Sequence, residues 1–225
     1  MKRFCVAVVL LTSLGIVLPA QQSALDRPAA DVSVPVPLWL GDMPFIASKI
    51  AEAAQAPLGF QAAPRLPSGT EKRDSRSLSG MTVRQVFDLL VSLDPRYRWQ
   101  ELNGVAVFRP VAAWTDENDI LNRKIGPVDL ESVTPQQAVR SLTSLLVGYP
   151  IRATDTVDVK EQPSGRIFSV HSGGGRLIDV LNAVVKANGE LMWHVGPDPR
   201  EPNRIRVMLE GFDGMGVGSA WTAPR

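Results

Sequence analysis

From Ser33 onward the apolar positions switch between period 3.6 and period 2, and the same succession is written twice. Val34–Leu40 is apolar and interrupted by proline, as an extended strand can be. Between Pro44 and Ala56, the residues Ile46, Ala47, Ile50, Ala51 and Ala54 recur at helical spacing. Pro44 suits a first helical turn, and Pro57-Leu-Gly59 closes the helix. Phe60 opens a short strand, and Arg65–Arg76 reads as a polar loop. A second helix is predicted from Thr82 to Leu93, with Val83, Val86, Phe87 and Leu90 on one face. Thr82 and Gln85 are spaced as a capping box, each side chain reaching the other's backbone N–H. Tyr97–Glu101 and Val105–Arg109 then read as strands around Asn103-Gly104, residues that tolerate the positive φ angles of a tight hairpin turn.

The second half keeps this order. Ile125–Leu130 is strand-like, and Thr134-Pro135-Gln-Gln137 is another capping box with proline at the first helical position. Ala138, Leu142 and Leu145 fall on one face of the helix that follows. Ile167–His171 reads as a strand and Gly173–Gly175 as a turn. Arg176–Asn188 is a helix closed by Gly189, and Leu191–Val195 and Arg204–Glu210 are the last strands. Pro44, Ala47 and Phe60 match Pro135, Ala138 and Ile151, each 91 residues on. Past the middle loop the spacing is 94: Gly80 with Gly174, Val86 with Val180, Phe87 with Leu181, Asp88 with Asn182, Trp99 with Trp193. These matches predict an α+β chain of two tandem βαβ-βαββ units, each a small mixed sheet with two helices on one face. The units span residues 34–112 and 125–213, with linkers at 21–33 and 113–124 and a flexible tail at 214–225 that holds Trp221. Open sheets leave edge strands, to which an extended partner segment can add.

The run Leu78-Ser-Gly-Met-Thr-Val-Arg-Gln-Val-Phe-Asp-Leu-Leu-Val91, the strand at Tyr97-Arg-Trp99 and the Asn103-Gly104 hairpin resemble the short N-terminal domain of secretins and TonB-dependent receptors. Thr82, Asp88 and Leu90 match that family's helix pattern, with Phe87 in place of its usual leucine. In the second half Leu181–Val185 matches more loosely. Asn182 replaces the acid there, and Gly174-Gly175-Arg176 replaces the helix cap. The resemblance implies a free-standing pair of such domains acting through protein contacts, without the barrel or secretin ring domain that follows them in the family.

The first 20 residues are read as an address. Lys2 and Arg3 precede an apolar run from Phe4 to Leu18, and Pro19-Ala20 supplies a break and a small residue before Gln21. Cleavage is expected between Ala20 and Gln21, giving an exported, most simply periplasmic, protein. The apolar run is shorter than the ~20 residues that a bilayer core demands. Removal of residues 1–20 takes Cys5, the single cysteine, so disulfides play no part in the mature chain. It also leaves 22 Lys+Arg against 23 Asp+Glu. A near-neutral balance argues against nucleic acid as a partner.

Chemistry-bearing patterns are sparse. His171 and His194 are the two histidines, both predicted to lie outward on strands, and scarcity of His and Cys argues against a metal centre built from them. Gly173–Gly175 lacks the lysine and Ser/Thr of a phosphate loop, and Asp116-Glu-Asn-Asp119 reads as a solvated linker. No catalytic, cofactor-binding or metal-ligating residue is therefore assigned, and no cofactor. The function expected is a non-catalytic periplasmic interaction module that docks onto an envelope assembly: a secretin, a TonB-type receptor or an inner-membrane regulator. The alternative is a glycan-binding or glycan-hydrolysing envelope protein with a site between the two units, which would need paired carboxylates or exposed aromatics in a cleft.

Overall fold

A computed structural model describes residues 23–29, 38–39, 43–64, 73–74, 78, 80–145, 151–153, 166–197 and 205–211. The expected signal segment with its expected Ala20–Gln21 cleavage site, most of the 65–76 loop, and the 214–225 tail with Trp221 lie outside the described residues. The chain is α+β. In order it forms a 3-10 turn at Ala24–Asp26, β1 (Leu38–Trp39), α1 (Met43–Ala54), β2 (Leu58–Gln61), β3 (Arg73–Asp74), α2 (Val83–Leu93), β4 (Tyr97–Leu102) and β5 (Val105–Pro110). Two 3-10 turns follow at Ala112–Trp114 and Ile120–Asn122, then β6 (Lys124–Ile125), β7 (Val128–Val133), α3 (Pro135–Leu145) and β8 (Ile151–Ala153). Next come β9 (Phe168–Ser172), β10 (Gly175–Arg176), α4 (Leu177–Asn188), β11 (Leu191–Pro197) and β12 (Ile205–Gly211). Among the described residues no helix is long and apolar enough to cross a membrane.

The local signals act as the side chains dictate. Thr82 accepts the Gln85 N–H at 3.3 Å and the Gln85 side chain accepts the Thr82 N–H at 2.8 Å, closing the capping box of α2. Thr134 and Gln137 repeat both bonds at the start of α3. At α4 the cap is a substitute: Asp179 accepts the Arg176 N–H at 3.2 Å and also its guanidinium at 3.0 Å. Asn103 and Gly104 hold φ of 55° and 82°, as the β4–β5 hairpin requires. In α3 the inward positions are Ala138, Val139 and Leu142, whereas Leu145, in its last turn, is exposed rather than facing the core.

Six strands pair into one sheet in the order β4-β5-β2-β11-β12-β8. Within it β4-β5-β2 has the same strand order as β11-β12-β8, and β2 joins β11 in parallel. The expected pair of separate small sheets is thus corrected to one continuous sheet. Each of β2 and β11 would be an edge strand alone, and pairing satisfies both rows of backbone donors and acceptors. Because β2 runs antiparallel to β4 but parallel to β11, the second set of three strands points the opposite way from the first. Turning a strand end over end about the sheet's lateral direction also exchanges its faces. The helices follow suit. Leu58, Phe60, Ala106, Phe108 and Met192 pack with α1 and α2 in one core. Val105, Val107, Trp193, Val195, Val207 and Leu209 pack with α3, α4, β7 and β9 in the other. The sheet is covered on both sides, with each helix pair on its own face.

Correspondence between the halves also extends before Ser33. Ser23 caps the turn at Ala24–Asp26, as Asp119 caps Ile120–Asn122. Leu25 and Leu121 are both buried. The Val83 N–H then bonds the Arg27 carbonyl at 3.0 Å, and the Leu177 N–H bonds the Arg123 carbonyl at 2.8 Å. Pro28 bridges Thr82 just as Lys124 pairs with Arg176.

Candidate functional site

Three places in this frame present groups suited to binding. The first is the outer edge of β4, at one end of the six-stranded sheet. Ala106 gives its N–H to Pro57 on the β2 side, which leaves Val105, Val107 and Arg109 to bond β4. By alternation the N–H and C=O of Trp99 and Glu101 point away from β5, and among the described residues no strand pairs with this edge. Along β4, Arg98 and Glu101 are exposed, Trp99, Gln100 and Leu102 half-buried, and Tyr97 buried. Arg84 donates to Glu101 at 2.7 Å and to Asp26 at 2.9 Å, and these two carboxylates hold its pKa above the usual arginine value. The Trp99 indole donates to Asp88 at 2.7 Å.

The second place is an open groove lined by Trp114, Thr115, Glu117, Asn122, Arg123, Lys124 and Arg176. One of its lining residues, Asn122, also belongs to a buried polar network around Arg109. The Arg109 guanidinium, with 0% of the residue exposed, donates to Gln61 at 2.8 Å, Asn122 at 2.9 Å, the Ala113 carbonyl at 2.7 Å and Asp119 at 2.8 Å. Burial lowers the Arg109 pKa from its ordinary value, and the Asp119 carboxylate works against that shift. Gln61 also donates to Asp119 at 2.5 Å, so the carboxylate is doubly held. Asp119 is therefore a half-buried structural anchor rather than a solvated linker residue, because a buried guanidinium needs a carboxylate beside it. The guanidinium carbons of Arg98 and Arg109 are 5.0 and 5.2 Å from the centroid of the Trp114 ring. The lining carries one carboxylate, Glu117, against three cationic side chains, which is not the acid pair of glycoside chemistry.

The third is the β7–β9 ribbon. Asp129 and Glu131 alternate onto its outer face, and His171 stands opposite Asp129 in the register. His171 Nδ1 lies 2.7 Å from Asp129 Oδ1 and its Nε2 lies 3.3 Å from Glu131 Oε1. All three side chains are exposed, and among the described residues this is the group of three His, Cys, Asp or Glu donors within mutual reach. The group is not visible in the sequence. Val128-Asp-Leu-Glu131 displays both acids on one face, but which strand lies opposite is not a local property.

The other histidine corrects an expectation. His194 is buried, 4% exposed, with its ring 6.0 Å from that of Phe60. An outward position on β11 is still an interior one, because α1 and α2 cover that face. Gly173–Gly175 is a tight connection: Gly174 has φ of 89°, and a Cβ there would sit 2.8 Å from the Ile125 carbonyl. Its glycines serve the β6–β10 pairing.

No family model matches the chain, and neither do curated proteins or solved structures.

Proposed function

We propose that the protein is an exported, periplasmic interaction module, built of two domains like the short N-terminal domain of secretins and TonB-dependent receptors, that docks onto a cell-envelope assembly. The observation that carries this reading is the outer edge of β4, with the backbone groups of Trp99 and Glu101 directed outward and no strand beside them among the described residues. Pairing strand to strand is also how the halves of this chain meet, at β2 and β11. An extended segment of a secretin, receptor or inner-membrane regulator would add to β4 through main-chain hydrogen bonds, with side chains setting the choice of partner.

The test separates backbone from side chain at one position. Glu101→Ala and Glu101→Pro both lose the carboxylate, but only proline removes the outward N–H. In cells producing a tagged protein, crosslinking followed by mass spectrometry is expected to capture such an envelope component with the parent and with Glu101→Ala. Glu101→Pro is expected to lose it while keeping the parent's circular dichroism. Equal capture by the two variants, or adducts made only of glycan fragments, would defeat this reading.

A further inference from the structure

Two carboxylates and an imidazole converge on the β7–β9 ribbon. Asp129, Glu131 and His171 donor atoms all lie within 4.8 Å of one another. Among the described residues, neither carboxylate has a lysine or arginine in ion-pair range, so two negative charges surround one imidazole. The ribbon beneath is well fixed. Val128, Leu130, Phe168 and Val170, alternating with the three donors, are buried in the core of the second half. A bulge at Ser132, with φ of 50°, offsets β7 after Leu130, and Ser132 gives its N–H to Ser169 Oγ at 3.0 Å. The Ser169 hydroxyl in turn donates to Glu131 Oε2 at 3.1 Å, leaving Oε1 directed at His171. That is how outer-shell groups orient a metal-ligating carboxylate.

We infer that Asp129, Glu131 and His171 form a binding site for a divalent transition-metal ion of the Zn2+ class. An imidazole with two carboxylates suits such ions better than Ca2+ or Mg2+, which prefer all-oxygen shells. Neighbouring donors around tetrahedral Zn2+, at ligand distances of about 2.0–2.2 Å, stand about 3.3 Å apart. Small rotations of these exposed side chains reach that spacing from the separations seen. Three protein ligands leave a coordination position to water, the arrangement of an open rather than a closed site.

Titrating ZnCl2 alone into the purified protein at pH 7.5 tests the site. With side-chain NMR of the two histidines as readout, one equivalent of Zn2+ is expected to shift the His171 imidazole signals and leave those of buried His194 in place. His171→Ala is expected to weaken Zn2+ binding by about 100-fold or more, and Ser169→Ala by about 10-fold. Both replaced side chains are on the outer, exposed face, so circular dichroism of the variants should match the parent. Excess Mg2+ should not displace the ion. An unmoved His171 signal at several equivalents of Zn2+, or binding that survives His171→Ala, would overturn the site.

Discussion

Gly59 and Trp193 face each other across the parallel junction of β2 and β11. A Cβ built on Gly59 would lie 2.0 Å from Trp193 Cε2, and the indole, fully buried, has nowhere to retreat. Here the glycine is required by close approach and not by φ. Overpacking of this kind costs up to about 3 kcal/mol. We expect Gly59→Ala to lower unfolding free energy by about that amount, and to cost far less in a Trp193→Phe background, where the clashing atoms are absent. A double-mutant cycle from urea denaturation measures the coupling, and a value below ~0.5 kcal/mol would show that the two residues are independent. The sequence exposes only part of this. Trp193 is recognisable by its match with Trp99, but Pro57-Leu-Gly59 reads as a helix stop, and the second duty of Gly59 depends on which strand lies beside it. His194 is misread for the same reason.

At the scale of elements, each half ties its second helix to the following strand by one hydrogen bond. Trp99 donates its indole N–H to Asp88 at 2.7 Å, and Trp193 donates to Asn182 at 2.8 Å, with donor and acceptor 11 residues apart in both. The bonds match in geometry and differ in burial. Asp88 is exposed, whereas Asn182 is 1% exposed and also donates to the Leu102 carbonyl at 3.4 Å, joining α4 to the hairpin of the other half. A buried donor left without its acceptor costs about 1–3 kcal/mol, while a partner in reach of water costs much less. Asn182→Ala should therefore destabilise by about 2 kcal/mol and Asp88→Ala by under about 1 kcal/mol in thermal or urea unfolding. Equal losses would mean that burial does not set the value of this bond. Such elements are legible from sequence because their determinants are local: the capping residues, the apolar stripes and the Asn103-Gly104 turn all lie within a few residues of what they specify. The turn at Ala24–Asp26 is too short for any periodicity to mark it, although Ser23, Leu25 and Arg27 stand in its sequence as Asp119, Leu121 and Arg123 stand in the later one.

The whole molecule is decided by contacts that no local pattern encodes. Apolar stripes predict that each set of three strands buries one face against its own helices; the cores contain this and also take in residues of the other set, Met192 in the first and Val105 and Val107 in the second. They do not say that the two sets join edge to edge with opposite direction, so that both faces of one sheet are covered. The buried Arg109 network sits at this join. It gathers Gln61 from β2, Arg109 from β5, and Asp119 and Asn122 from the segment that leads into the second half. Removing one partner of a buried ion pair strands the other charge in the interior, at a cost of about 3–5 kcal/mol. Asp119→Ala should lose that much, and replacing both charges, as Arg109→Met with Asp119→Leu, should recover part of it because no charge is left stranded. Since the sheet and this network span both halves, the loss should displace a single transition followed by circular dichroism and tryptophan fluorescence alike. Two separate transitions in the parent protein, or an Asp119→Ala variant within about 1 kcal/mol of it, would mean that the halves hold together without this network.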